Sequence, residues 1–248
     1  MNYAFIGDIH SQIAPLEQAL AHCEANSLTP IFLGDLFDSR EAQSDSVGVY
    51  RLVRYWQEHR GAIVLRSNHQ DKFERWARGN KVQVKGEFAR TVDDFAQAEV
   101  DAAEVLAWLD SMPYGIVFRD SGGREYRASH ACFPSWLEIP EYEGVHFVNE
   151  VSRKEKKWMI TGPQIPGAVW PEQETRVLWW NKESSRSWVR VAGHYHAVHV
   201  SDRSLVLDGG CGGSSREWPT SAHTEAPRLC LWDVERAQLT AFPCRCCA

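Results

Sequence analysis

The chain has 248 residues, 44% of them hydrophobic and 24% charged, and a formal net charge of −6. That is enough apolar mass for a large core in an ordinary soluble protein. An acidic balance without a long basic run argues against a nucleic-acid surface. No apolar run approaches the ~20 residues that a bilayer-spanning helix needs. The opening Tyr3-Ala4-Phe5-Ile6 runs into an acidic motif and lacks the basic-then-apolar pattern of a secretion signal. The seven cysteines, scattered and odd in number, therefore read as free thiols in a reducing cytoplasm. Cys244-Arg245-Cys246-Cys247-Ala248 matches neither a zinc spacing nor a lipidation box and reads as an exposed, reducible tail. The eleven tryptophans are assigned to core and rim packing.

In chain order, residues 3–6 read as a strand. Ile13, Leu16, Leu20 and Cys23 then share a helical face, with Pro15 tolerated in the first turn. Residues 31–33 form the next strand, which delivers Asp35 to the rim of a sheet, with Asp38 one turn further on. Val49, Leu52, Val53 and Trp56 give a second helical face with Ser44 or Asp45 as cap, and residues 62–65 a third strand. This β-α-β-α-β order predicts parallel strands with crossover helices. Phe88, Val92, Phe95, Ala102, Leu106 and Leu109 predict one or two helices covering one side of the site, ended by Pro113. Residues 116–118 and 125–128 flank Ser121-Gly122-Gly123 and read as a hairpin. Residues 133–170 read as loop-rich, with the basic cluster at 153–157 taken as a solvated face. The last third reads as strands at 188–192, 204–207, 229–232 and 239–242. With no repeat or linker, residues 1–248 are expected to form a single domain with a helical insertion around 81–115.

Five short clusters carry ligand-type side chains: Gly7-Asp8-Ile9-His10, Gly34-Asp35-Leu36-Phe37-Asp38, Ser67-Asn68-His69-Gln70, Ser129-His130 and Gly193-His194-Tyr195-His196. Most follow a strand-like run, and in open α/β sheets ligands bind beyond the carboxyl ends of strands. Two divalent cations about 3.5–4 Å apart need a charged bridging ligand, and Asp35 fits that role. Asp8 and His10 can reach one metal, Asn68, His130 and His194 a second, and His196 can reach back to the first. Mixed oxygen and imidazole ligation suits Mn²⁺, Fe²⁺ or Zn²⁺, and Mn²⁺ is the metal we favour.

These five motifs, in this order, resemble the calcineurin-like metallophosphoesterase superfamily, and within it the bacterial and phage branch of phosphoprotein phosphatases. That branch also holds dinucleoside tetraphosphatases and a polynucleotide phosphatase domain. Residues 106–113 with Ser129-His130-Ala131, Leu178-Trp179-Trp180-Asn181-Lys182-Glu183, and Leu207-Asp208-Gly209-Gly210-Cys211 are similar to three further stretches of that branch. The resemblance implies an α/β fold, a two-sheet β-sandwich flanked by helices. It implies Asp8, His10, Asp35 and His196 at a first metal and Asp35, Asn68, His130 and His194 at a second. It makes His69 the general acid, oriented by Asp38, with in-line attack on phosphorus by a metal-bridging hydroxide. The substrate expected is a phosphomonoester, foremost phosphoserine or phosphothreonine in a protein. The alternatives are a nucleotide, dinucleoside polyphosphate or polynucleotide end, and a phosphate-binding regulatory protein of weak catalytic power.

Five positions depart from the resembled pattern. Ser39-Arg40 stands where Arg-Gly is usual, which shifts the phosphate-binding Arg by one residue. Arg40 and a second cation from Lys182, Arg186 and Arg190 are the substrate-binding candidates. Ser67 and Gln70 stand where Gly and Glu are usual, so Gln70 removes a carboxylate next to the metals and is expected to weaken their binding. Ser11 replaces a Gly.

Overall fold

The computed structural model describes residues 2–164, 179, 187–213 and 227–244. The elements run β1 (Tyr3–Ile6), α1 (Ile13–Ala25), β2 (Thr29–Phe32), α2 (Ser46–Arg60), β3 (Ile63–Val64), α3 (Asn68–Ala77), α4 (Glu87–Gln97) and α5 (Ala102–Asp110). They continue β4 (Gly115–Arg119), β5 (Glu125–Ser129), β6 (Val145–Val148), α6 (Arg153–Thr161), β7 (Val189–Ala192), β8 (Val198–Val200), β9 (Ser204–Leu207), β10 (Arg228–Asp233) and β11 (Gln238–Pro243).

Two mixed sheets result, one in the order β11-β10-β1-β2-β3 and the other β6-β4-β5-β7-β9-β8. β1, β2 and β3 are parallel, as the alternation of apolar runs and helical faces predicts. β1 is buried along its whole length, because both of its faces are covered. Tyr3 and Phe5 face the second sheet and join Ile31, Leu33, Phe118, Val191 and Leu207 in a core between the sheets. Ala4 and Ile6 face the other way, into a core shared with α1, α2, α4 and α5. Each fully buried large apolar side chain of this kind contributes about 1.5–3 kcal/mol, and the two layers together hold the strand ends in place. The architecture is an α/β sandwich.

Asp45 caps α2 by accepting from the Gly48 amide at 2.6 Å, and β4 and β5 form the expected hairpin. β1 holds the middle of the five-stranded sheet, and β2 is its fourth strand. The described part of the stretch read as loop, residues 133–164, is less loop-like than its composition suggests. β6 pairs with β4, and α6 packs Met159 beneath Val117 and Phe133. α6 begins with a reciprocal capping box between Ser152 and Glu155, a local signal that the basic run obscured. Lys156 of that run pairs with Asp71 at 2.6 Å instead of facing only solvent.

Several tryptophans are platforms for cations. The guanidinium of Arg190 lies 4.8 Å from Trp179 and 5.3 Å from Trp188, and Lys154 lies 4.6 Å from Trp136. The described cysteines, Cys23, Cys132, Cys211, Cys230 and Cys244, are buried and in the thiol state, with Cys211 Sγ 2.9 Å from Cys244 Sγ. Cys244 therefore departs from the exposed tail expected for it, and the rest of that tail lies outside the described residues. No described helix is long and apolar enough to cross a membrane.

Candidate metal centre

The carboxyl ends of six strands from both sheets converge on one place. β1 delivers Asp8 and His10, β2 Asp35 and Asp38, β3 Asn68 and His69 at the start of α3. β5 delivers His130, β7 His194 and His196, and β9 Asp208. Of the nine described non-glycine residues with positive φ, five are His10 (46°), Asp35 (45°), Asp38 (67°), His194 (68°) and His196 (49°). Such backbone costs about 1–2 kcal/mol per residue and persists only where the surroundings enforce it, which is typical of functional sites. Two glycines permit the close approach. A Cβ on Gly193 would stand 1.9 Å from Asp8 Oδ1, and one on Gly34 would stand 2.6 Å from the Ser67 Cβ.

Asp35 sits at the hub. Its Oδ2 is 3.6 Å from His10 Nε2, 3.9 Å from His69 Nε2 and 3.4 Å from His130 Nε2. Two groups of potential ligand atoms share it: His10, Asp35 and His69 on one side, and Asp35, His130 and His194 on the other. Burial alone would raise the Asp35 pKa, but the imidazoles of His130, His69 and His10 outweigh it and hold the carboxyl well below its usual range. The His69 amide, at the N-terminus of α3, adds a long contact of 3.5 Å to Asp35 Oδ1, where the helix dipole favours negative charge.

The imidazole orientations are set by backbone. His130 Nδ1 donates to the Leu33 carbonyl at 3.0 Å, and His10 Nδ1 to the carbonyls of Phe37 and Asp38 at 3.0 and 3.1 Å. Each ring then turns its Nε2 toward Asp35. His130 Nε2 lies 2.8 Å from Asn68 Oδ1 and 3.2 Å from His194 Nδ1. Ligand-type oxygens and nitrogens thus converge on one place, an arrangement that a cation satisfies.

Asp8 tells the same story. Its Oδ1 is buried without a hydrogen-bond partner among the described residues, while Oδ2 accepts from the His194 amide at 2.9 Å. Burial, then the neighbouring carboxylates of Asp208 and Asp35, push its pKa well up. A buried orphan oxygen among carboxylates is costly unless a positive charge joins it. The donor set therefore fits divalent cations.

Asp38 and His69 form a pair at 2.7 Å between Asp38 Oδ2 and His69 Nδ1. Thr91 of α4 donates to Asp38 Oδ1 at 2.7 Å, and the Lys72 ammonium stands 4.0 Å from Oδ2. Burial works against the charged His69 ring, but Asp35 and Asp38 outweigh it and push its pKa up to about 9. Burial also opposes the charge on Asp38, yet the His69 contact holds that carboxyl below its usual value.

A cleft of about 110 Å³ opens here, lined by His10, Asp38, Arg40, His69, Glu87, His196 and the backbone of 210–213. The residue shift at Ser39-Arg40 has a structural explanation. Ser39 is buried, accepts from Gln12 Nε2 at 3.0 Å and donates to the Gly212 carbonyl at 3.3 Å. The Arg40 amide binds that same carbonyl at 2.9 Å, which leaves Arg40 on the cleft wall. Arg190 lies elsewhere, between Trp179 and Trp188, and is not among the cleft-lining residues. Lys182 and Arg186 lie outside the described residues.

Ser67 and Gln70 explain one another. Gln70 Oε1 accepts from the Asp35 amide at 3.0 Å and from the Ser67 hydroxyl. A neutral carbonyl thus performs the accepting role that a carboxylate would fill, and Ser67 supplies the extra donor. Asp208, quoted from the sequence but given no role there, is fully buried and accepts from the His196 and Gly210 amides at 2.6 and 3.0 Å. Burial would raise its pKa, but His196 and His10 outweigh that and hold it below its usual value. Thr91 and Lys72 carried no sequence signal.

No curated protein matches the chain. Among solved structures it is similar to a hypothetical protein from Pyrococcus horikoshii OT3, with a TM-score of 0.54 at 10% identity, covering 98% of this chain and 87% of that one. That likeness concerns the fold. The calcineurin-like phosphoesterase profile matches residues 1–213, a span that contains every residue placed around Asp35. The chain belongs to the calcineurin-like phosphoesterase family and is a metal-dependent phosphoric ester hydrolase.

Proposed function

We propose that the chain is a dinuclear phosphomonoesterase acting on phosphoserine and phosphothreonine in proteins, with Asp35 shared between two metal ions. The observation that carries this reading is the position of the Asp35 carboxylate between His10 on one side and His130 and His194 on the other. Asp8, His10, Asp35 and His196 would hold one ion, and Asp35, Asn68, His130 and His194 the other. Oxygen and imidazole donors without thiolate suit Mn²⁺, then Fe²⁺ or Zn²⁺. When bound, the ions supply Lewis acidity toward phosphoryl oxygens and a water of lowered pKa.

The protein's own groups do the rest. Arg40, on the cleft wall, neutralises and orients a phosphoryl group. His69 is held protonated by Asp35 and Asp38 and gives its proton to the leaving oxygen. Asp38, fixed by Thr91, keeps the ring turned toward the cleft and stabilises its charge. The described cleft lining has no aromatic ring besides imidazoles, which favours a phosphate protruding from a side chain over a stacked nucleobase.

The test is Mn²⁺-dependent turnover of p-nitrophenyl phosphate, followed by a phosphoserine peptide against diadenosine tetraphosphate and a 3′-phosphorylated oligonucleotide. Fastest kcat/KM on the peptide is expected. Preference for either nucleotide substrate would reassign the substrate class, and absence of turnover with Mn²⁺, Fe²⁺ or Zn²⁺ would refute catalysis.

A further inference from the structure

A second depression of about 450 Å³ lies beside the cleft, lined by Lys72, Arg75, Lys81, Val82, Gln83, Lys85, Gly86 and Glu87. Four of these are cations and one is a carboxylate, in a chain of net charge −6. Glu87 also lines the catalytic cleft, so the two openings adjoin.

The far wall is α3. His69, Lys72 and Arg75 recur every three residues on one helical face, about 4.5 Å apart along the axis. They form a row of positive charge leading away from the reacting centre. Lys72 is the hinge of that row: its ammonium is 4.0 Å from Asp38 and lies 4.4 Å from the Phe88 ring. Arg75 is paired with Asp71 within its own helix.

The near wall is Lys81-Val82-Gln83-Val84-Lys85, between two left-handed glycines, Gly79 (φ 76°) and Gly86 (φ 59°). Among the described residues this segment makes no backbone hydrogen bond, and Lys81 and Lys85 make no ion pair. Val84 is exposed. At its end, α4 starts at Gly86 with no side-chain cap. An unpaired, lysine-bearing segment offers backbone donors and acceptors to an extended chain. Among the described residues no aromatic ring lines the groove, so none of them stacks a base there.

We infer that this groove binds an acidic polypeptide segment adjoining the phosphorylated residue, with Lys72, Arg75, Lys81 and Lys85 facing its carboxylates. This rests on the phosphoprotein reading and makes the enzyme selective for phosphosites flanked on one side by Asp or Glu.

The experiment compares a phosphoserine peptide carrying four consecutive aspartates with its asparagine counterpart, on the Mn²⁺-loaded full chain and its Lys81→Ala/Lys85→Ala variant. Exposed ion pairs are individually weak, so a preference of about three- to thirtyfold in kcat/KM is expected for the wild type, shrinking at high salt. In the variant the ratio falls to less than half. Using the ratio within each protein cancels general losses of activity. Equal rates on the two peptides in the wild type, or an unchanged ratio in the variant, would overturn the inference. So would an unchanged peptide ratio combined with weakened inhibition by tripolyphosphate, which would assign the groove to phosphate chains. p-Nitrophenyl phosphate separates the two claims. Its hydrolysis without peptide preference sinks the groove alone. If nothing is hydrolysed, the phosphatase reading fails, and fluorescence anisotropy of the same labelled peptides still decides whether the groove prefers the acidic one.

Discussion

Gly193→Ala is the sharpest perturbation of the centre that replaces no titratable group. The added Cβ would stand 1.9 Å from Asp8 Oδ1, where real contacts essentially never fall below 3.0 Å. Either the Asp8 carboxylate or the strand end carrying His194 must retreat by about 1 Å, and a misplacement of that size near reacting groups costs on the order of 10²-fold in rate. Neither side yields cheaply, because Asp8 Oδ2 holds the His194 amide at 2.9 Å and the Gly193 amide donates to the His130 carbonyl at 2.8 Å. Overpacking of this kind costs about 1–3 kcal/mol, which for a chain of this size lowers Tm by roughly 2–12 °C. The assay is Mn²⁺ titration by calorimetry together with p-nitrophenyl phosphate turnover and a melting curve. The control is Gly122→Ala, whose Cβ meets nothing closer than 3.4 Å and should change stability by less than about 0.5 kcal/mol. A Gly193→Ala protein with unchanged Mn²⁺ affinity and turnover within twofold would refute the proposed place of Asp8 in the centre.

Asp35→Asn is expected to lose both metals and activity together; retention of two bound ions, measured by elemental analysis, would count against a shared carboxylate. His69→Ala should keep both metals and lower kcat by about 10²–10⁴-fold on poor leaving groups, and an equal loss on p-nitrophenyl phosphate would speak against proton donation. Gln70→Ala strands the Asp35 amide and should destabilise the protein by about 1–3 kcal/mol, read by urea denaturation; a neutral result would mean that the amide is otherwise satisfied. In metal-free protein, the raised His69 pKa makes its contribution fully present below its ordinary value near ~6.5 and lost as pH rises through about 9. Melting temperatures should therefore decline across that window, and a His69→Asn variant with the same decline would assign it elsewhere.

The strand ends were legible because a βα unit places a polar cluster directly after an apolar run. Asp8, Asp35, Asn68 and His194 therefore announced themselves, and all of them meet around one point. What joins them was less legible. The Thr91 hydroxyl reaches Asp38 across 53 residues of sequence, and Asp208 holds the His196 amide from the next strand. Neither contact has a local pattern. Gln70, read from the sequence as a loss at the metal site, is compensated by Ser67 through a side-chain contact visible only once α3 is folded. β6 and β8 escaped because Val145, His146, Val198 and His199 are only partly buried, so they lack the apolar density that marks the inner strands. α6 was legible in principle, since Ser152 and Glu155 form its capping box, yet the basic run drew the reading toward a solvated face.

The central claim is that Asp35 is shared by two ions. Crystals of the protein grown with Mn²⁺, measured for anomalous scattering at the manganese edge, test it directly. Two peaks are expected about 3.5–4 Å apart on either side of the Asp35 carboxylate, one toward His10 and one toward His130. A single peak, or peaks that leave Asp35 uncoordinated, would contradict it.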